Sequence, residues 1–202
     1  MTGTLEQSRF IVIDVEGNGQ QPPEIVEIAV VTMDGLSVAG EPRTWLVKPS
    51  QPITPIVTRK VHGIKNADVE DAPAFADVEA EVLGLLGDRI PIAHNARVEV
   101  DVLARQLPAW QPPLVVDTLR LARALWPGLL AGYTLDKLLE HACIDTAGLG
   151  GKRHRAGFDA AATALLFAAL AKDCTTEQVL TLGCLPSHSP APTPSPDQGA
   201  LF

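Results

Sequence analysis

Three separated stretches of the chain hold residue types that bind metals and move protons. FIVIDVEGNG runs from apolar residues into Asp14 and Glu16, AHNARVEVDVL carries Glu99 and Asp101, and GKRHRAGFDAAAT carries His154 and Asp159. Strand side chains alternate, so Asp14 and Glu16 are predicted to project from one face at the end of a buried strand. Two carboxylates held that close repel unless a cation lies between them, which makes a bound divalent ion their natural partner. An isolated Asp-x-Glu reads as a solvent-facing strand end and an isolated histidine as a surface residue. The three segments together point to chemistry.

The elements that must position these groups follow from periodicity. Residues 9–15 and 25–32 are rich in Ile and Val and are parted by the turn-forming GNGQQPPE, so they read as neighbouring strands. A third strand is expected at 44–47, stopped by Pro49 and Pro52. From Phe75 to Leu86 apolar residues recur at three- and four-residue spacing, the pattern of an amphipathic helix, which Gly87-Asp88 ends. IPIAHN reads as a buried strand opening into a helix through Arg105, and LVVDT as a strand leading into LRLARAL, closed by Pro127-Gly128. Thr134 is placed to cap LDKLLEHAC, and a long helix begins near Arg155. Thr175 and Gln178 match a capping box before a last short helix. Strands alternating with helices after an opening meander predict an α/β fold, a mixed five-stranded sheet flanked by helices.

With 202 residues, 46% of them hydrophobic, the chain suits one compact unit. It has no apolar stretch long enough for a bilayer, and MTGTLEQSR lacks the features of a signal peptide, so a cytoplasmic protein with no membrane partner is expected. Cys143, Cys174 and Cys184 show neither disulfide nor zinc-ribbon spacing. A net charge of −8 excludes a protein that holds nucleic acid mainly through a basic surface, but not one that cuts it at clustered acids. Local cations remain available for phosphates: Arg59, Lys60 and Lys65 in one segment, and Lys152, Arg153 and Arg155 around His154.

Taken in order, the acidic segments resemble the proofreading-type exonuclease superfamily that carries four acids and a catalytic histidine on an RNase H-like sheet. The resemblance covers roughly residues 8 to 172. Asp14 and Glu16 match the first motif, His94-Asn95 the second, and His154, Arg155, Ala156 and Asp159 the third. Val61-His62-Gly63-Ile64 and Ala72-Pro73-Ala74-Phe75 match the connecting segment. LARALWPG and the TTEQ stretch are similar to the exodeoxyribonuclease X branch, which points towards DNA.

The resemblance implies two Mg²⁺ or Mn²⁺ ions about 4 Å apart, bound by Asp14, Glu16, Asp159 and one acid from AHNARVEVDVL. It implies His154 as general base, nucleoside 5′-monophosphates released from a 3′ end, and substrate contacts from His62, His94, Asn95 and Arg155. Glu27 matches a recurrent acid and is read as structural or as a support behind the metal ligands. The chain departs from the pattern at one point: Glu99 stands where the family has Asp, with Asp101 as the alternative ligand. On a helix the two lie about 200° apart, so both serve only if the segment is extended. An exoribonuclease or oligoribonuclease keeps the same chemistry, and an inactive tethered binding module is the alternative that Glu99 opens.

The domain expected over 1–172 is followed by a short helical appendage at 173–185 and a Pro-rich, disordered linker at 186–202. The last five residues, with Gln198, Leu201 and Phe202, are similar to peptides that dock on bacterial sliding clamps, an aliphatic-aromatic pair filling an apolar pocket while the Gln anchors by hydrogen bonds. Such a linker reaches ~20 Å as a flexible coil and would raise the local concentration of the domain near DNA ends.

Overall fold

The computed structural model describes residues 4–185, so the clamp-like peptide and the linker before it lie outside the described residues. The strands are β1 (Arg9–Gly17), β2 (Ile25–Asp34), β3 (Ser37–Val38), β4 (Arg43–Leu46), β5 (Ile90–Ala93) and β6 (Val116–Asp117). The helices are α1 (Pro55–Lys60), α2 (Phe75–Leu86), α3 (Arg97–Gln106), α4 (Thr118–Leu125), α5 (Leu135–His141), α6 (Ala156–Ala171) and α7 (Thr176–Gly183). The sheet runs β3-β2-β1-β5-β6, with β4 also paired to β2. It is mixed as expected, antiparallel across β1–β2 and parallel across β1–β5 and β5–β6. The five strands expected from sequence are all present, and the sixth is β3, a two-residue return of β2 too short to leave a periodic signal.

Alternation along β1 divides the core between the two sheet faces. Phe10 and Val12 pack with the buried residues of α4, α5, α6 and α7, whereas Ile11 and Ile13 pack with those of α2 and α3. The Phe10 and Phe167 rings meet edge-to-face at 5.0 Å, an arrangement worth about 1 kcal/mol beyond the area it buries. Six of the eleven buried residues of α6 are Ala, small side chains that let a helix pack closely. At Gly157 a Cβ would come within 2.9 Å of Thr44 Oγ1, so a larger residue there would require the Thr44 side chain to shift where α6 approaches β4.

Two local features set up the site. β5 pairs β1 only from Phe10 to Val12, so Asp14 and Glu16 extend beyond the carboxyl end of their parallel neighbour, where crevices open in sheets of this kind. The β1–β2 register also shifts between Glu16 and Gly17, an irregularity of the sort that re-aims side chains at strand ends. On the far side, α7 carries the capping box read from Thr175 and Gln178. Leu185 then donates to the Val115 carbonyl at 2.9 Å, fastening the 173–185 segment to the β6 edge.

Candidate active site

β1 supplies Asp14 and Glu16, and α6 supplies Asp159 from its first turn. Among the described residues, these three offer carboxylate oxygens that all lie within 4.8 Å of one another. AHNARVEVDVL is helical from Arg97, so Glu99 and Asp101 diverge. Glu99 is the buried one of the pair, at 8% exposure. Its charge acts on both Asp14 and Glu16, although its oxygens lie outside the close trio. Asp101 is only partly buried. Glu99 Oε2 is shut away from solvent with no hydrogen-bond partner, a costly state that a bound cation would relieve.

The electrostatics agree with a cage built for cations. Burial first, then repulsion from Glu99, Asp159 and Glu16, holds the Asp14 carboxyl well above the usual range. Burial, followed by Asp159 and Glu27, pushes Glu16 up to about 8. Glu99 is likewise pushed up to about 8, by burial and then by Asp117 and Glu16. Hard oxygen donors that resist ionisation until a positive charge arrives are a suitable set for Mg²⁺ or Mn²⁺.

A pH dependence follows. Between about 4.5 and about 8 the folded, metal-free protein keeps protons on Glu16 and Glu99 that the unfolded chain releases, so its stability falls as pH rises through that window. The melting temperature in EDTA is expected to be lower at pH 8 than at pH 6, with Mg²⁺ raising it more at pH 8. Differential scanning fluorimetry at the two pH values checks this, and a metal-induced shift larger at pH 6 would contradict it.

His154 is exposed at the edge of the trio, in the left-handed region with φ 59°. Its backbone N–H donates to Asp159 Oδ2 at 3.1 Å. The guanidinium of Arg153 reaches Asp159 Oδ1 with one edge and Asp136 of α5 with the other. Neither Asp136 nor this pairing was singled out in the sequence, because the partners meet only through the packing of α5. Asp117, also not singled out, is buried where β6 meets α4 and accepts from the Asn95 N–H at 3.0 Å and the Leu119 N–H at 2.9 Å. Its signal was present: LVVDT, like FIVIDVE, runs from a strand into an acid.

The residues expected at the substrate are distributed unevenly. His94 is half-buried, its Nδ1 2.9 Å from Thr118 Oγ1. Asn95 is exposed, with φ 63° at the turn into α3, a conformation that Asn tolerates better than most residues. His62 is buried, its Nδ1 accepts from the Ile64 N–H at 2.9 Å, and its Nε2 lies 3.2 Å from the Gly17 carbonyl. Both ring nitrogens are therefore engaged in tying the 61–64 turn to the end of β1. Arg155 grips buried Glu27 with two bonds from Nε at 2.9 and 3.1 Å and a third from Nη2, while the Ala156 N–H reaches the same carboxylate at 2.8 Å. That pair pins the start of α6 to β2. Glu27 thus has the structural place read for it, and Arg155 is engaged with Glu27 rather than standing open to solvent.

Comparison with known proteins places this geometry in context. The RNase_T exonuclease family model matches residues 11–167. The chain is 35% identical over 172 residues to the PolC-type DNA polymerase III of Thermotoga maritima, covering 81% of this chain and 12% of that protein. It is 32% identical over 170 residues to the 3′-5′ exonuclease DinG of Bacillus subtilis, covering 81% and 18% respectively. The chain therefore spans less than a fifth of the length of either relative. Its fold matches that of Exonuclease X in complex with 5′-overhanging duplex DNA, at TM-score 0.72 and 31% identity, over 86% of this chain and 98% of that one. No helix among the described residues is long and apolar enough to cross a membrane.

Proposed function

The chain belongs to the RNase_T exonuclease family, and on that footing we propose that it is a metal-dependent exodeoxyribonuclease of DNA repair or replication, releasing nucleoside 5′-monophosphates from 3′ ends. The observation that carries this reading is the trio of Asp14, Glu16 and Asp159 within 4.8 Å, with Glu99's unpartnered buried oxygen beside it. Two Mg²⁺ or Mn²⁺ ions held there would make water a nucleophile at neutral pH and stabilise the departing 3′ oxygen.

The chain's own residues do the rest. Asp14, Glu16, Asp159 and Glu99 hold the ions, with Glu99 preferred over Asp101 because helical geometry turns the two apart. His154 takes the proton from the attacking water, its exposure leaving the ring accessible from the substrate side. The bond from its backbone to Asp159 holds residue 154 beside one of the ligands, so the imidazole starts from a main-chain position already set next to the site. Asn95, exposed where β5 gives way to α3, would contact the terminal nucleotide, and His94 supports that turn through Thr118.

Glu99→Gln is expected to lower Mg²⁺-dependent mononucleotide release by about 100-fold or more. Asp101→Asn should stay within about threefold of the parent. Equal loss in both variants, or loss in Asp101→Asn alone, would overturn the ligand assignment. Parallel digestion of labelled single-stranded DNA and RNA of one sequence tests the substrate, and faster hydrolysis of RNA would move the reading to an exoribonuclease. Clamp docking through Gln198, Leu201 and Phe202 is part of the same proposal, supported by the sequence of the last five residues. Deleting residues 198–202 should remove retention on an immobilised bacterial clamp without altering hydrolysis of a short oligonucleotide. Retention that survives the deletion would exclude it.

A further inference from the structure

Asp159 has no idle oxygen. Its Oδ2 accepts the His154 N–H at 3.1 Å, and its Oδ1 is held by Arg153 Nη1. The other edge of the same guanidinium, through Nε, is held by Asp136 at the start of α5. The three side chains form a gradient from interior to solvent, with Asp159 at 9% exposure, Arg153 at 28% and Asp136 at 57%. Arg153 therefore lies against the acid trio as a built-in monovalent cation, with its outer anchor on a residue that takes no part in the trio.

A divalent ion and a guanidinium compete for the same carboxylate and repel each other at contact distance, the more so in a partly buried site. The ion carries the larger charge and coordinates several acids at once, so the arginine is the group that yields. Asp136 determines where it goes, because its bond to Nε leaves the Nη edge free to turn outward. A planar donor edge released at the mouth of a phosphodiester site matches a phosphate oxygen pair.

We propose that Arg153 is a two-station positioning residue: it occupies Asp159 until metal arrives, then swings on Asp136 to bind a backbone phosphate of the substrate strand. The inference rests on the metal-site reading above. It assigns Asp136, outside the acid cage, the task of keeping the arginine near the site after it has left Asp159.

The test measures metal binding separately from hydrolysis. Mn²⁺ is titrated calorimetrically into the full, EDTA-stripped chain for the parent, Arg153→Gln and Asp136→Asn, and KM for a single-stranded oligonucleotide is measured at saturating Mn²⁺. Arg153→Gln should bind Mn²⁺ about tenfold more tightly, because the competing cation is gone, yet show a KM raised by about tenfold. Asp136→Asn should bind Mn²⁺ about threefold more weakly, since Arg153 then has Asp159 as its remaining anchor. Opposite shifts in metal affinity are not produced by general loosening of the fold. Unchanged or weakened Mn²⁺ binding in Arg153→Gln, or an unchanged KM, would overturn the proposal while leaving the nuclease reading intact. A parent chain that binds no Mn²⁺ would overturn both.

Discussion

Replacing His154 with Ala is expected to lower turnover by about 10²–10⁴-fold while leaving Mn²⁺ affinity within about twofold. The side chain is exposed and belongs to none of the buried clusters, so its removal leaves no cavity. The contact that ties residue 154 to the site, N–H to Asp159 Oδ2, is made by the backbone and survives the substitution. The left-handed φ of 59° is the one complication: alanine there is strained by about 1 kcal/mol, whereas asparagine adopts it more readily. His154→Asn therefore serves as the control for strain and should be as slow as His154→Ala. Near-parental rates in His154→Asn would place the base elsewhere, and a large fall in Mn²⁺ affinity in both variants would mean that the segment acts by shaping Asp159.

Arg155→Ala is expected to cost about 2–3 kcal/mol of stability, below the range for a fully buried pair because the Arg155 side chain is 34% exposed while Glu27 is left buried. Glu27 is 2% exposed on the central part of the sheet, and without Arg155 its charge retains only the Ala156 N–H among the bonds it now accepts. Because the pair joins residues 128 apart in sequence, its loss also frees the start of α6, where Asp159 must be held. Urea denaturation measures the change. A loss below about 1 kcal/mol would show that the ion pair contributes no more than an exposed one.

The sheet and the Asp14/Glu16 pair were legible because local rules decide them, whereas Asp159 was reached only through the family resemblance. Runs rich in Ile and Val on either side of a turn-forming stretch placed β1 and β2, two-residue spacing put Asp14 and Glu16 on one face, and helix periodicity fixed α2 at Phe75 and Leu86. α1 was not anticipated, although Thr54-Pro55 is a fair helix start, because six residues with no buried side chain carry no periodic stripe. What the residues near the site bond to was harder to read. His62, Arg153 and Arg155 all have types suited to a nucleotide, and single-residue chemistry cannot say that tertiary packing also ties them to Gly17, Asp136 and Glu27. Glu99 shows the reverse case. In sequence it was the departure from a familiar pattern, yet helical geometry makes it, and not Asp101, the acid that is buried toward Asp14.

The acid trio and His154 are expected to remove nucleotides one at a time from a 3′ end. Single-stranded DNA labelled internally and blocked at either the 3′ or the 5′ end, incubated with the protein and Mg²⁺, tests it directly by chromatography of the products. Nucleoside 5′-monophosphates are expected from the 5′-blocked strand, none from the 3′-blocked strand, and none from either in EDTA. Release from the 3′-blocked strand, oligonucleotide fragments in place of mononucleotides, or hydrolysis that persists in EDTA would contradict it.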